Sequence, residues 1–421
     1  MINVSQKAGR TFNPIRAIVD SLQPPKGHSK QLLNLALGDP TAHGLAPPAL
    51  LTEAVRENLE RNTANGYLPS TGSASARRAV AQYSSQPPSN TTIGEDDVII
   101  ASGCSGAVEL TISVLLDPGD NLLVPQPGFP LYQVITDSIG GYCRHYPLLP
   151  EREWECDLDA MEKLIDQRTR AILINNPSNP CGSNFSPAHL QAITDLASRH
   201  GLPIIADEIY SGLVYEGTFT PAHTCTGTVP VLTLGGIAKE FVVPGWRVGW
   251  VLLHDKGTGR LEDVRRGLRS LTQLIVGANS LVQAALPRLL MPDPGSADAA
   301  ARDAYMHTYR SLLHSNARLC EQECRDCPEL ECVSPKGAMY VMLRVDIDSL
   351  VGIKDDAEFA KQLLVEQNLV VLPGQCFGMR GFVRLITCPT EAAMREAFAR
   401  IKIFISTKRV GSPSSKRPKL E

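Results

Sequence analysis

One lysine stands where burial of its charge is costly. The stretch GGIAKEFVVPGWRVGW, residues 235–250, places Lys239 directly after an apolar, strand-like run, and Arg247 follows eight residues later inside an aromatic-rich run. Removing an ammonium group from water at the end of a strand is unfavourable unless other groups compensate for it. The position of Lys239 therefore requires a specific reason, and the neighbouring strand ends suggest one.

Polar side chains also follow other predicted strands. IIASGCSG ends in a glycine turn that opens a helix, so the amides of Cys104 and Ser105 and the Ser105 hydroxyl point at an anion. Asn179 lies in the Asn/Pro-rich turn of LINNPSNPCG, and PIIADEIY carries Asp207 and Tyr210. In open α/β sheets the active crevice lies beyond the carboxyl ends of the strands. Each residue alone is typical of a cap or a surface ion pair, but together they predict an active site with a phosphate cradle.

The elements that position these residues alternate between strand-like and helix-like segments from about residue 95. This alternation predicts an α/β domain with a mostly parallel sheet covered by helices. The predicted strands are 97–103, 121–125, 170–176, 202–210, 229–236 and 246–254, and the predicted helices include 158–166, 187–200 and 259–290. After MPDPGSADAA, three strand-like runs between helices (GAMYVMLRV, NLVVLPGQCFG and GFVRLITC) predict a smaller α+β domain.

A chain of 421 residues exceeds what one core usually fills, so we expect two domains. We predict an N-terminal segment at 1–40 that packs with the small domain and a large cofactor-binding domain at 41–295. The small C-terminal domain is expected at 296–405, and a disordered basic tail rich in Ser and Pro at 406–421.

The composition is that of an ordinary globular protein. Hydrophobic residues make up 43%, charged residues 20%, and the formal net charge is -3, which argues against a nucleic-acid partner. No apolar run approaches the roughly 18 residues of a membrane helix. MINVSQKAGR lacks the apolar core of a secretory signal and is not clearly of the mitochondrial kind, so we expect a cytoplasmic location.

The chain has eleven cysteines, an odd number that predicts mostly reduced thiols. Four of them cluster in CEQECRDCPELEC: Cys320, Cys324, Cys327 and Cys332. Their spacing is similar to that of an iron–sulfur motif. A charged surface helix and turn that carries thiols is the favoured interpretation, because short motifs often match by chance, and we expect no metal site.

From residue 10 to about 405 the chain resembles the fold-type I, pyridoxal-phosphate-dependent aminotransferases, and most closely their tyrosine branch. The resemblance is carried by TFNPIRAIVD, LALGDPT, NGYLPSTG, ASGCSGAVEL, PQPGFPLY, NNPSNPCGSNFS, ADEIYSGLVY, AKEFVVPGWRVGW and PKGAMYVM. It implies a large domain with a mostly parallel seven-stranded sheet, a smaller α+β domain, and pyridoxal 5′-phosphate as cofactor.

The resemblance also implies roles for the strand-end residues. Lys239 would bind the cofactor aldehyde covalently and then move a proton, and Asp207 would pair with the pyridine nitrogen. Tyr210 and Asn179 would hydrogen-bond the phenolic oxygen of the ring. The phosphate would be held by Arg247 and by the helix N-terminus with Cys104 and Ser105, because a guanidinium binds phosphate through two parallel hydrogen bonds.

Further residues are assigned by resemblance alone. Phe129 would stack on the cofactor ring, while Tyr67, and Ser280 with it, would reach the phosphate of the neighbouring subunit in a homodimer with shared active sites. Arg384 would bind the substrate α-carboxylate, and Gly38 would leave room for it. Arg16 is a candidate for the distal carboxylate of an acidic substrate, or it belongs to a segment that only closes the structure.

The implied reaction is transfer of the amino group of L-tyrosine to 2-oxoglutarate, giving 4-hydroxyphenylpyruvate and glutamate in aromatic amino-acid catabolism. Other aromatic or large apolar amino acids and other keto acids are possible substrates, and the sequence does not rank them. Two alternatives stay open: a lyase that uses the same cofactor on the same fold, and a non-catalytic scaffold.

Overall fold

The computed structural model of the chain describes residues 2–15, 18, 24–85 and 93–409. The strands are β1 (Leu33–Asn34), β2 (Val98–Ala101), β3 (Asn121–Gln126), β4 (Tyr142–Leu149), β5 (Glu155–Cys156), β6 (Thr169–Asn175), β7 (Ile204–Asp207), β8 (Val231–Gly236), β9 (Gly249–His254), β10 (Leu330–Cys332), β11 (Tyr340–Val345), β12 (Leu369–Val370), β13 (Leu372–Pro373) and β14 (Phe382–Ile386). The helices are α1 (Gln6–Arg10), α2 (Ala49–Glu60), α3 (Ala74–Ser84), α4 (Gly103–Leu115), α5 (Leu131–Ile139), α6 (Leu158–Lys163), α7 (Pro187–Arg199), α8 (Glu262–Thr272), α9 (Ser280–Leu290), α10 (Ala297–Arg325), α11 (Asp356–Gln367) and α12 (Glu391–Lys408).

The large sheet has the strand order β2-β9-β8-β7-β6-β3-β4-β5. The central pairs β3/β4, β3/β6, β6/β7 and β7/β8 are parallel, while β8/β9, β2/β9 and β4/β5 are antiparallel. The predicted α/β class and mostly parallel sheet are confirmed. The sheet has eight strands in the described chain and not the predicted seven, because β5 adds a two-residue edge that is too short to show a periodicity.

The central strands are buried on both faces, which explains their apolar sequences. Ile172, Ile174 and Ile204 pack in one core with α7, whereas Leu173 and Ile205 pack in another core with α4. The side chains alternate between the two cores because successive residues of a strand point to opposite faces. The sheet therefore holds its strand ends rigidly between two layers of helix.

One predicted helix is wrong, and one strand was missed. The predicted helix 259–290 is two helices, α8 and α9, since Val276 and Gly277 between them have φ angles of 63° and 91°. Strand β4 was not predicted: YCRHYPLL is exposed on one side and has no continuous apolar run. Its partner β3, in contrast, is almost fully buried.

A second, antiparallel sheet has the order β10-β11-β14-β13 and packs with α10, α11 and α12. The N-terminal strand β1 pairs in parallel with β12, so the segment before the large sheet contacts the C-terminal part of the chain. The domain boundaries at 40 and 295 stay predictions.

The predicted disordered tail 406–421 begins too early, because α12 continues to Lys408. Arg409 then forms an ion pair with Glu329, with Nε to Oε1 at 2.5 Å. The remainder of the predicted tail, 410–421, lies outside the described residues.

The cysteine cluster is not on the surface. Cys320, Cys324 and Cys327 are buried in the hydrophobic core, so the surface interpretation is wrong. All eleven cysteines are unpaired in the structure, and the reduced state of the protein stays a prediction. In the described ranges, no group of three or more His, Cys, Asp or Glu side chains is placed to hold a metal ion, and no helix has the length and hydropathy needed to cross a membrane.

Candidate active site

A cavity of about 340 Å³ opens at the carboxyl ends of β6, β7 and β8. Its lining includes ten of the predicted site residues, which come from both sheets and from the loops that follow the strands: Gly38, Cys104, Ser105, Phe129, Asn179, Asp207, Tyr210, Lys239, Arg247 and Arg384. The cavity therefore lies at the strand ends, as the sequence predicts, because parallel strands end at the same edge of the sheet.

Asp207 forms the floor of the cavity at the end of β7, where it is buried. Its Oδ2 accepts a hydrogen bond from the Tyr132 hydroxyl at 2.7 Å, and its Oδ1 accepts from the Ile209 amide at 3.3 Å and the Cys104 thiol at 3.5 Å. Burial raises the pKa of the Asp207 carboxyl, and the bonds from Tyr132, Ile209 and Cys104 lower it in part. A carboxylate held in this way can accept a hydrogen bond from a protonated group of a ligand in the cavity. It thereby keeps that group of the ligand protonated.

Lys239 is half-buried and extends across the cavity toward the N-terminal segment. Its Nζ donates to the Gly38 carbonyl oxygen at 2.6 Å. The amine therefore has a neutral acceptor here, which leaves it available for a reaction with a carbonyl compound.

Gly38 itself is required by close packing. A Cβ atom at this position would lie 2.2 Å from the Tyr340 hydroxyl oxygen and 3.1 Å from the ring carbon Cζ. The space beside Gly38 is thus filled by Tyr340, a residue that the sequence analysis did not single out.

We expect Gly38→Ala to destabilise the protein by about 1–3 kcal/mol, because the added methyl group overpacks the contact with Tyr340. Thermal unfolding measures the loss of stability. Gly227→Ala is the matched control, because its Cβ atom would meet open space. An unfolding temperature of Gly38→Ala equal to that of the control would contradict the contact.

The end of the cavity that is formed by the start of α4 and by Arg247 is suited to bind an anion. Helix α4 begins at Gly103, and no side chain caps its amides. Gly103 has a φ of 68°, and a Cβ atom there would lie 2.6 Å from Nη2 of Arg247. Arg247 is exposed and donates only to neutral oxygens within the described chain, those of Pro244 at 3.0 Å and Ser102 at 3.2 Å. The uncapped helix end and the guanidinium leave positive charge for a phosphate.

Arg384 is a buried cation with only neutral partners in the described chain. It is 3% exposed on β14, and it donates to the Asn179 Oδ1 at 2.9 Å and to the Ala36 carbonyl oxygen. Its Cζ lies 4.4 Å from the centroid of the Tyr340 ring and 4.8 Å from that of Phe377. Burial lowers the pKa of the guanidinium below its usual value. A buried guanidinium clamped between two rings is suited to a carboxylate ligand.

Two predicted residues, Tyr67 and Ser280, do not line this cavity. Tyr67 is 95% exposed, and Ser280 donates from its hydroxyl to the Ala64 carbonyl at 2.7 Å. Both were predicted to serve a neighbouring subunit, which a single chain does not test. Arg16 lies outside the described residues.

Residues 30–401 match the family described as aminotransferase class I and II. The chain belongs to this family. Class I and II aminotransferases with curated functions include the tyrosine aminotransferase of Bos taurus, which is 42% identical over 405 residues that cover 96% of this chain and 88% of the relative. The tyrosine aminotransferase of Dictyostelium discoideum is 42% identical over 412 residues, covering 96% of each chain.

Solved structures of class I and II aminotransferases have the same fold. The tyrosine aminotransferase of Leishmania infantum superimposes with a TM-score of 0.90 at 37% identity and covers 97% of this chain and 99% of its own. The alanine aminotransferase of Pyrococcus furiosus superimposes with a TM-score of 0.89 at 27% identity, with coverage of 96% and 100%.

The aminotransferase cavity fits the cofactor of its family, pyridoxal 5′-phosphate. The uncapped start of α4 and Arg247 suit the phosphate, and Asp207 suits a protonated ring nitrogen. Phe129 lines the cavity and meets the Tyr132 ring edge to face at 5.7 Å. The sequence analysis missed Tyr132 and Tyr340, although both stand in motifs quoted above, PQPGFPLY and PKGAMYVM.

Proposed function

We propose that this chain is a pyridoxal 5′-phosphate-dependent aminotransferase that moves the amino group of L-tyrosine to 2-oxoglutarate. Other aromatic or large apolar amino acids and other keto acids are further candidate substrates. The observation that carries the proposal is one cavity that holds an amine, a buried carboxylate and a buried guanidinium without an acidic partner in the described chain. The name of the curated relatives, tyrosine aminotransferase, supports the choice of substrate.

The bound cofactor supplies an aldehyde and an electron-withdrawing ring that stabilises negative charge at the substrate α-carbon. Lys239 would hold the aldehyde covalently, and its amine, once free, would take the proton from the α-carbon of the substrate. Asp207 would keep the proton on the ring nitrogen, and Tyr210 and Asn179 would donate hydrogen bonds to the phenolic oxygen. Each of these strand ends thus contributes one polar side chain near a position where charge develops on the substrate or cofactor during the reaction.

The substrate is oriented from the opposite side of the cavity. Arg384 binds the α-carboxylate through two parallel hydrogen bonds, and Gly38 and Asn179 border the same space. The cavity is also lined by Ile15, Leu37 and Phe129, which suit an aromatic or apolar side chain. The proposed receptor of a distal carboxylate, Arg16, stays a prediction.

A panel of amino donors against keto-acid acceptors tests the proposed reaction. Purified protein loaded with pyridoxal phosphate should form more than one equivalent of 4-hydroxyphenylpyruvate per site from tyrosine only when an acceptor keto acid is present, because the acceptor regenerates the aldehyde form of the cofactor. The highest kcat/KM is expected for tyrosine with 2-oxoglutarate. Release of ammonia from tyrosine without an acceptor would contradict transamination and favour a lyase, and no conversion of any donor would favour a scaffold.

We further propose that the active unit is a homodimer in which Tyr67 reaches the phosphate of the neighbouring subunit. Tyr67 is exposed, as are the apolar residues Leu274, Ile275 and Val276, and Gly277 beside them packs on Ser70. Exposed apolar clusters of this kind are typical of protein interfaces.

Subunit mixing tests the shared site. Lys239→Ala and Tyr67→Ala dimers, unfolded and refolded together, should regain up to roughly a quarter of the wild-type activity, because each mixed dimer contains one intact site. Activity no higher than the average of the two unmixed variants, or a monomeric mass by analytical ultracentrifugation, would contradict the shared site.

The cytoplasm is the proposed location. The support is chemical: eleven unpaired thiols, most of them buried, are compatible with a reducing compartment. Fractionation of cells that express the tagged protein measures the location directly.

A further inference from the structure

Tyr340 lies between the two halves of the proposed site, and the roles given above do not include it. It is the first residue of β11 and is 2% exposed. Its hydroxyl oxygen lies 2.9 Å from that of Tyr210, and the two rings meet edge to face at 5.6 Å with an interplanar angle of 85°. The face of its ring carries the Arg384 guanidinium.

We propose that Tyr340 is a positioning residue for both ends of the reaction. Its hydroxyl donates to the Tyr210 hydroxyl and thereby directs the proton of Tyr210 to the phenolic oxygen of the cofactor. Its ring holds the Arg384 guanidinium in place for the substrate carboxylate. This inference rests on the function proposed above.

The direction of the hydrogen bond follows from the surrounding charges. A phenol carries one proton, so only one of the two tyrosines donates to the other. Arg384 lies directly over the Tyr340 ring, and a cation there draws electron density from the ring and strengthens its O–H as a donor. The titratable and charged groups that act on the Tyr210 hydroxyl are Tyr340, Asp207 and Arg384. Tyr210 accepts a hydrogen bond from Tyr340, so the Tyr210 hydroxyl can donate its own proton in a hydrogen bond to a group inside the cavity. Both residues line this cavity.

Tyr340 is held in position by its contacts with Gly38, Tyr210 and Arg384. The missing Cβ atom of Gly38 leaves room for its hydroxyl, and the carbonyl of the same glycine accepts from Lys239. The Arg384 guanidinium also contacts the Phe377 ring, with Cζ 4.8 Å from the ring centroid. A small displacement of the Tyr340 side chain therefore changes the surroundings of Tyr210 and Arg384 together.

The first test removes the hydroxyl and keeps the ring. In holoenzyme carrying Tyr340→Phe, the pH midpoint of the absorbance change of the bound cofactor should rise by roughly 0.3–1 unit, because a less polarised Tyr210 stabilises the ionised phenolic oxygen less. We expect kcat to fall roughly 2- to 10-fold for the same reason, while KM for tyrosine stays within about 2-fold. An unchanged midpoint and kcat would overturn the assigned hydrogen bond.

The second test removes the ring. Tyr340→Leu should raise KM for tyrosine roughly 3- to 30-fold, because Arg384 loses its stacking partner. Cofactor-free protein with this substitution should bind 3-(4-hydroxyphenyl)propanoate, a carboxylate without an amino group, more weakly by a similar factor, whereas Tyr340→Phe should bind it normally. Equal binding by all three proteins would overturn the role toward Arg384.

Tyr146→Phe is the matched control. Tyr146 is buried in the large sheet and donates to the Leu173 carbonyl at 2.7 Å, so it also loses one internal hydrogen bond. Its thermal stability should fall while the absorbance midpoint and both kinetic constants stay at wild-type values. A midpoint shift in Tyr146→Phe equal to that of Tyr340→Phe would mean that the shift reports general destabilisation and would overturn the proposal. Failure of the proposed function is distinguishable, because the wild-type protein would then not transfer the amino group of tyrosine to a keto acid. The carboxylate-binding measurement would still decide the role of Tyr340 toward Arg384.

Discussion

Lys239→Ala should abolish transamination and leave the fold intact. Lys239 is the only lysine that lines the active-site cavity in the described chain, and its Nζ makes one hydrogen bond, to the Gly38 carbonyl oxygen. Its removal deletes both the anchor of the cofactor and the base that moves the α-proton. General acid–base catalysis alone contributes about 10²–10⁴-fold, so we expect kcat to fall at least roughly 1000-fold.

Two measurements check this expectation. Steady-state formation of 4-hydroxyphenylpyruvate gives kcat, and mass spectrometry after borohydride reduction should show the cofactor bound to the wild-type protein and absent from Lys239→Ala. Lys361→Ala, a change at an exposed lysine of α11, is the control and should keep full activity and the full adduct. Thermal unfolding of both variants should resemble the wild type. Full turnover by Lys239→Ala would refute the assignment.

Arg384→Leu should mainly weaken the binding of substrates. The guanidinium is buried between Tyr340 and Phe377, and in the described chain its hydrogen-bond partners are neutral oxygens, so the substrate carboxylate is its expected counter-ion. Truncating one partner of a buried, hydrogen-bonded charge pair costs about 2–5 kcal/mol. This corresponds to a decrease in kcat/KM of roughly 30-fold or more, most of it in KM.

Two further substitutions show whether the effect on KM comes from the charge of Arg384 or from its shape and packing. Arg384→Lys keeps the positive charge and loses the planar fork, so its KM should lie between those of the wild type and Arg384→Leu. Arg344→Leu changes an exposed arginine of the same sheet that pairs with Glu331, and its kinetic constants should not change. An unchanged KM in Arg384→Leu, measured with tyrosine and with 2-oxoglutarate, would count against the role of this arginine.

The large sheet and most of the cavity were predictable because their signals are local. Each of the segments ending at Asn175, Asp207 and Gly236 is a short apolar run that stops at a polar turn, and burial on both faces produces such runs. The roles of Arg384 and Gly38 came from family resemblance, since an arginine within a strand has no distinctive local pattern. Strand β4 was missed because a half-exposed strand has no continuous run of apolar residues. The break between α8 and α9 was missed because a single left-handed turn barely alters the spacing of apolar residues along a helix.

The sequence by itself determined which reactive groups stand at the strand ends, and hence the cavity edge that they share. Only the tertiary structure decided the contacts that hold them. Tyr132 reaches Asp207 from 75 residues away, and Tyr340 reaches Tyr210 from 130 residues away. Periodicity in a sequence reports which face of an element is buried, but it carries no information about which distant side chain will lie opposite. Those partners follow from the packing of whole elements against one another, and they set the environment in which Lys239, Asp207 and Arg384 act.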